Sequence, residues 1–160
     1  MKTPAPWLAT FTRRWHANPD LSHTSDPVGY HGARMAILAI HLWPDASRDL
    51  LISCLTHDLG ESVTGDIPWP AKNTSPYLKQ ELDAMEADAM AEMGMCFSLG
   101  LGIEYRRLKY LDRLDAYLWA MHHKPKLRKR KEWRNARKWL KEEKRALDEK
   151  SDCNRVADVG

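Results

Sequence analysis

The sequence has few cysteines and no long apolar run, and each absence excludes a class of protein. Its three cysteines, Cys54, Cys96 and Cys153, are widely spaced and form no Cys-x-x-Cys motif. This argues against a disulfide framework and against a cysteine-ligated zinc site. No apolar run approaches the roughly 18 residues of a membrane span, and the N-terminal segment lacks the apolar stretch of a signal peptide. We therefore expect an intracellular protein with no membrane partner.

The sequence also lacks the apolar–polar alternation of β-strands, whereas helical periodicity recurs along the chain. We predict helices at about residues 3–16, 31–43, 47–64, 75–95, 104–123 and 125–150. Ser47 and Ser75 are suitable N-caps, and Pro76 suits a first helical position. The fold class is therefore predicted to be all-α. The simplest organisation of 160 residues is one domain, residues 1–160, with a single core.

The charge is distributed unevenly. Residues 124–150 contain 13 Lys/Arg and 5 Asp/Glu, a local net charge of +8, so the remainder carries −5 of the total +3. This basic segment is predicted to form an amphipathic helix, whose apolar face would consist of Trp133, Ala136, Leu140 and Leu147. Such a helix either packs through that face with its charges solvated or binds nucleic acid or a polyanionic substrate. We favour the first interpretation and do not expect a nucleic-acid partner.

Carboxylates interrupt the apolar stripes of two predicted helices. Asp58 is the next position on the stripe of the helix that begins at Ser47, and Asp112 and Asp115 lie on the stripe of helix 104–123. The stripes themselves consist of Leu51, Cys54 and Leu55 in the first helix and Leu108, Leu111, Leu118 and Trp119 in the second. An isolated buried carboxylate costs several kcal/mol, on the order of 3–5, unless a partner balances it. Acids on two apolar faces therefore suggest a cation between them.

Candidate metal ligands accompany these acids. His31, His57, Asp58 and Asp112 offer imidazole and carboxylate groups, which suit Zn, Mn, Co or Fe, whereas all-oxygen sites suit Mg or Ca. Such an ion polarises a phosphoryl oxygen and lowers the pKa of a bound water molecule. Glu61 follows one turn after Asp58, where a carboxylate can orient or deprotonate that water. Each residue alone has a structural explanation, and the combination is what favours a metal site.

These residues resemble a known family. His31, His57-Asp58 and Asp112 match the H…HD…D pattern of the HD-domain metal-dependent phosphohydrolases. The segment HDLGESVTGDIPWPAK, residues 57–72, resembles the longer motif of the branch that contains bacterial 5′-deoxynucleotidases and compact phage dATP triphosphohydrolases. Arg14-Trp15 and the run DRLDAYL from Asp112 also fit that branch. The resemblance covers about residues 14–118 and implies a single HD-domain helical bundle.

The resemblance implies a role for each matched position. The ligands of a divalent ion, Co, Mn, Zn or Mg, would be His31, His57, Asp58 and Asp112. Glu61 would help to activate the attacking water, and Asp66 would assist at the scissile phosphate or at a second metal. Arg14 and Lys72 would contact phosphate, and Trp15 would pack near the sugar or base. The resemblance also implies a homo-oligomeric cytoplasmic enzyme of a bacterium or of a phage-infected cell.

Three functions remain open. The first is hydrolysis of dATP to deoxyadenosine and triphosphate, which the small size and the extra basic residues favour. The second is a 5′-deoxynucleotidase acting on deoxynucleoside monophosphates (dNMP). The third, from another class, is a nucleic-acid-binding protein with a vestigial HD site and an active basic helix. The complete set of ligands and Glu61 argue against this third function.

Overall fold

The structure, a computed structural model, describes residues 2–72, 74–95 and 99–157. Within these ranges the regular structure is helical, apart from one isolated antiparallel bridge between Arg13 and Pro27. This confirms the all-α prediction. No helix in the described part of the chain is long and apolar enough to cross a membrane. Cys54 is a buried free thiol, whereas Cys96 and the side chain of Cys153 lie outside the described residues.

The described helices fall into two compact units, Met1–Ser98 and Leu99–Gly160. The first unit contains α1 (Ala5–Ala9), α2 (Val28–Leu42), α3 (Arg48–Thr56), α4 (Glu61–Thr64), α5 (Trp69–Lys72) and α6 (Pro76–Glu92). The second contains α7 (Ile103–His123), a 3₁₀ turn (Pro125–Lys129) and α8 (Lys131–Ala157). The organisation as a single functional domain stays a prediction.

The first predicted helix is much shorter than expected. It ends at Ala9 instead of continuing to residue 16, because the following segment pairs with the approach to α2. The backbone N–H groups of Gly29, Val28 and Arg14 donate to the carbonyl oxygens of residues 10, 12 and 26, respectively, each at 2.9 Å. These long-range bonds hold residues 10–14 against the start of α2, which local periodicity cannot predict.

Helices α2 and α3 approach each other closely at Gly32. A Cβ atom added there would lie 2.8 Å from the carbonyl oxygen of Cys54 and 3.2 Å from the Cα atom of Leu55. Only glycine leaves room for this approach. Because Gly32 follows His31 and Cys54 lies two residues before the end of α3, the contact brings His31 next to the residues that follow α3.

The predicted helix from residue 47 to 64 is broken into two. Ser47 caps α3 as expected by accepting from the backbone N–H of Leu50, but α3 ends at Thr56 and a turn precedes α4. The prediction that Leu55 and Asp58 continue the apolar stripe of this helix was wrong. Leu55 is half exposed, and Asp58 lies in the turn with 21% of its side chain exposed. The buried residues of α3 are Leu50, Ser53 and Cys54.

Helix α6 packs against the turn between α3 and α4. Ser75 caps α6 with Pro76 in its first turn, as predicted, and the helix ends at Glu92, before the predicted residue 95. A Cβ atom on Gly60 would lie 2.6 Å from the carbonyl oxygen of Glu86.

The buried residues of α6 are Leu82 and Ala89, whereas two predicted stripe positions, Leu78 and Met85, are exposed. The partly buried methionines Met90, Met93 and Met95 pack on a core cluster of Ala9, Val28 and Leu59.

In the second unit, α7 packs on α8. The bounds of α7 agree with the prediction, and Leu108, Leu111 and Asp115 are buried as expected, whereas Leu118 is exposed. The apolar face of α8 contacts α7 through Tyr110–Trp139 and Tyr117–Trp133 ring pairs, whose centroids are 6.4 and 6.2 Å apart. Arg106 and Glu143 form an ion pair at 2.8 Å. The basic segment is therefore a packed amphipathic helix, as predicted, that begins at Lys131 after a 3₁₀ turn.

Candidate active site

Three predicted metal ligands come together in the first unit. His31 lies in the first turn of α2 with no exposed surface, His57 is the C-cap of α3, and Asp58 follows in the turn. The Asp58 carboxylate lies 3.5 Å from His31 Nε2 through Oδ2 and 3.1 Å from His57 Nε2 through Oδ1. Ligand atoms of all three lie within 4.8 Å of one another. The sequence pattern therefore corresponds to a real cluster.

The donor atoms of this cluster fit a divalent cation. His57 Nδ1 lies 3.3 Å from the carbonyl oxygen of Cys54, which can only accept, and the neutral tautomer with its proton on Nδ1 leaves the lone pair of Nε2 available to a metal ion. That Nε2 atom is buried, and among the described residues it has no hydrogen-bond partner. A lone pair directed toward a carboxylate is unfavourable without a positive charge between them. Imidazole nitrogen and carboxylate oxygen together are typical ligands of zinc and related metals.

Asp112, the fourth predicted ligand, lies on α7 in the second unit. Its side chain is partly buried, next to the buried Leu111. Its participation in the metal site stays a prediction.

Glu61 is the first residue of α4 and is almost completely buried, with 8% of its surface exposed. Burial is the largest cause that raises its pKa from 4.5 to about 9, and the neighbouring carboxylates of Asp58 and Asp66 raise it further, against the opposing charge of Lys72. Its Oε2 atom has no hydrogen-bond partner among the described residues. The chain alone therefore favours a protonated Glu61, which a nearby cation would convert to the carboxylate.

Lys72, the last residue of α5, lies between two acids. Its Nζ atom is 3.5 Å from Glu61 Oε1 and 3.2 Å from Glu86 Oε1. Burial alone would lower the pKa of Lys72, but the two carboxylates outweigh burial and raise it. Glu86 also accepts from Thr64 Oγ1 at 2.9 Å. Sequence reasoning missed Glu86, although its position between the buried Leu82 and Ala89 on α6 was a usable signal.

Asp66 contacts the segment that carries Arg14 and Trp15. The backbone N–H of Trp15 donates to Asp66 Oδ2 at 2.6 Å, and Trp15 has a φ of 65°, which bulky residues rarely adopt. His16 also lies close to Gly65, since a Cβ atom added to Gly65 would lie 3.9 Å from His16 Cε1. The role predicted for Asp66 at phosphate is untested, and the structure adds an anchoring contact to Trp15.

Asp26 is a fully buried carboxylate that sequence reasoning missed. Its Oδ2 atom accepts from Arg14 at 3.3 Å and from the indole N–H of Trp15 at 3.0 Å. Its Oδ1 atom accepts from Arg34 at 2.9 Å. The sequence signal was weak, because an acid before Pro27 at a helix start is typical of an ordinary turn.

Comparison with known proteins identifies the family. A family model described as 5′-deoxynucleotidase YfbR-like matches residues 35–151. No curated protein and no solved structure matches the chain. The matched range includes His57, Asp58 and Asp112, whereas Arg14 and His31 precede it. Because the match covers well over half of the chain, the protein belongs to this family of HD-domain phosphohydrolases, and it is a hydrolase of the HD type.

Proposed function

We propose that this hydrolase is a metal-dependent 5′-deoxynucleotidase, which converts dNMP to a deoxynucleoside and orthophosphate. The observation that carries the proposal is the cluster of His31, His57 and Asp58 with the buried Glu61 one turn away. The family match supports dNMP as the substrate. It favours this alternative over hydrolysis of dATP, which the sequence analysis placed first.

The charge of the site also supports a monophosphate. Both cations assigned to phosphate are already paired with acids, since Arg14 contacts Asp26 and Lys72 contacts Glu61 and Glu86. A triphosphate carries more negative charge than a monophosphate and needs additional cations. The basic residues that favoured triphosphate belong to the 3₁₀ turn and α8 of the second unit. Excess positive charge in that unit is not by itself an argument for a triphosphate site.

His31, His57, Asp58 and, from α7, Asp112 would bind the metal ion. When bound, a divalent cation supplies positive charge that polarises the phosphoryl group and favours ionisation of water. Attack of a water oxygen on phosphorus forms one P–O bond and breaks the bond to the 5′ oxygen, which takes up a proton from solvent. Glu61 would accept the proton of the attacking water, since a cation bound nearby would lower its pKa from the value of about 9 and so keep it ionised.

The remaining residues bind and orient the nucleotide. Lys72 keeps its proton, since the adjacent acids raise its pKa, and its ammonium group contacts the phosphate. Arg14 contacts the same phosphate through its guanidinium group. Trp15 packs against the sugar, and Asp66 fixes the backbone of Trp15. We expect a cytoplasmic enzyme that acts on a small nucleotide and needs no nucleic-acid partner.

The proposal is tested by orthophosphate release from dAMP after chelation and re-addition of Mn, Co, Zn or Mg. We expect activity only with metal, and Asp58→Asn should abolish both activity and the metal-induced rise in melting temperature. Asp88→Asn removes an exposed carboxylate of α6 and should leave both unchanged. Activity that survives chelation would overturn the proposal. Salt-sensitive DNA binding without hydrolysis of any nucleotide would favour the nucleic-acid-binding alternative.

A further inference from the structure

The buried carboxylate of Asp26 is surrounded by donors from three side chains. It has no exposed surface, and its two oxygens accept from Arg14, Trp15 and Arg34. A buried carboxylate is tolerated only when it is paired and hydrogen-bonded. Two guanidinium groups and one indole N–H satisfy that requirement here, so the network is complete around a charge that the catalytic scheme does not use.

Two of these three donors belong to consecutive residues to which the proposed function gives substrate contacts. Asp26 fixes the guanidinium of Arg14 and the indole ring of Trp15 from the same oxygen, Oδ2. Asp66 independently fixes the backbone of Trp15 in its left-handed conformation. Both the backbone and the side chains of this pair are therefore set before a ligand arrives, which lowers the entropic cost of binding.

The same carboxylate connects this pair to the helix that carries a metal ligand. Asp26 directly precedes Pro27, the N-cap of α2, and the backbone N–H of His31 donates to the Pro27 carbonyl at 3.1 Å. Arg34, the third donor to Asp26, lies almost one turn after His31 on α2. Asp26 therefore holds Arg14 and Trp15 at a fixed position relative to the first turns of α2, where His31 lies.

We propose that Asp26 is a positioning residue that presents Arg14 and Trp15 to the nucleotide and so sets substrate affinity. The inference rests on the proposed function for the identity of the ligand, whereas the contacts of Asp26 are independent of it. Asp26 acts through its neighbours, and its contribution is made before the chemical step. Its loss should therefore appear in KM and in the nucleotide Kd, and much less in kcat.

The test is Asp26→Asn, which keeps the shape of the side chain but removes its charge. The substitution also places an amide N–H group next to the N–H groups that the carboxylate had accepted. We expect KM for dAMP to rise roughly 10- to 100-fold, the range for losing a charge-assisted contact, with kcat changed less than about threefold. The metal-induced rise in melting temperature should persist, because no ligand is altered. Asp26→Glu keeps the charge and should recover part of the affinity.

Two controls separate positioning from general destabilisation. Asp88→Asn makes the same chemical change at an exposed site and should leave KM unchanged. Leu147→Ala removes a fully buried side chain of the second unit and should lower the melting temperature while leaving KM unchanged at temperatures where the protein is folded. In an Arg14→Gln background, Asp26→Asn should raise KM by a smaller factor than in the wild type, because the two residues act through one contact.

The outcomes distinguish this inference from the proposed function. If the wild type hydrolyses no dNMP, the proposed function fails, and the Kd of dAMP measured by calorimetry still tests Asp26. A KM and Kd within about twofold of wild type in Asp26→Asn, or a loss confined to kcat, would overturn the positioning role. If Asp26→Asn does not fold, Asp26→Glu, which keeps the charge but displaces the carboxylate from Arg14 and Trp15, should still raise the Kd of dAMP roughly threefold or more, and an unchanged Kd would overturn the inference.

Discussion

Gly32→Ala should impair metal binding although it changes no ligand. The added Cβ atom would lie 2.8 Å from the carbonyl oxygen of Cys54 and 3.2 and 3.3 Å from the Cα and carbonyl oxygen of Leu55. All three neighbours are backbone atoms, which cannot rotate away as a flexible side chain would. Helices α2 and α3 must therefore separate by a few tenths of an ångström, and the separation moves His31 relative to His57, whose ring centroids are 5.4 Å apart.

Two opposing terms set the size of the effect on stability. Replacing glycine by alanine inside a helix stabilises the folded state by about 0.5–1 kcal/mol. Overpacking of a close contact costs about 1–3 kcal/mol, and the upper part of that range applies because the clash is with backbone. The net destabilisation should be about 1–2 kcal/mol, which lowers the melting temperature by about 2–4 °C per kcal/mol for a chain of this length.

The assay is calorimetric unfolding with chelator and with added metal, together with a metal titration. We expect metal affinity to fall roughly 10- to 100-fold, as when the support of a ligand is lost. Gly100→Ala is the matched control, because an added Cβ atom there meets no atom within 4 Å, and it should leave both quantities unchanged. A Gly32→Ala protein as stable as the wild type, with the same metal affinity, would show that the close approach at Gly32 does not support the metal cluster.

Two further substitutions test the groups next to the metal cluster. Glu61→Gln should lower kcat by about 10²–10⁴-fold, yet it should stabilise the metal-free protein at neutral pH. The folded-state pKa of about 9 exceeds the ordinary 4.5, so the wild type loses stability as pH rises between these values. The advantage of Glu61→Gln in chelator should therefore grow across that range and vanish toward pH 4.5; an advantage independent of pH would contradict this explanation. Lys72→Met should raise KM for dAMP roughly 10-fold, whereas Lys79→Met, which removes an exposed lysine paired with Asp83, should not; equal KM values for the two variants would remove Lys72 from the phosphate site.

Local sequence signals predicted the helices that depend on local causes. The caps at Ser47 and Ser75 and the bounds of α7 follow from residues within one turn. His57 and Asp58 were identifiable because adjacent residues stay adjacent in any fold. The position of Asp58 was not, because α3 ends at Thr56 and the turn that follows packs through Gly60 against the backbone of α6. Periodicity along one helix contains no information about a second.

The residues that sequence reasoning missed are acids whose partners come from distant segments. Asp26 contacts Arg14, which is 12 residues away, and Glu86 contacts Lys72, which is 14 residues away. In the sequence each resembles an ordinary surface acid, since burial and pairing appear only after the segments meet. The same limit explains the early end of α1, where hydrogen bonds to residues 26–29 replace the helix.

The preference of the site for a monophosphate is tested by comparing kcat/KM for dAMP and dATP at saturating metal, with orthophosphate and triphosphate measured separately. A site whose phosphate-binding cations are already paired with acids should use the monophosphate better. We expect orthophosphate and deoxyadenosine from dAMP, at a higher kcat/KM than any product from dATP, and no release in chelator. Intact triphosphate from dATP at the higher efficiency would contradict the account and identify the enzyme as a triphosphohydrolase.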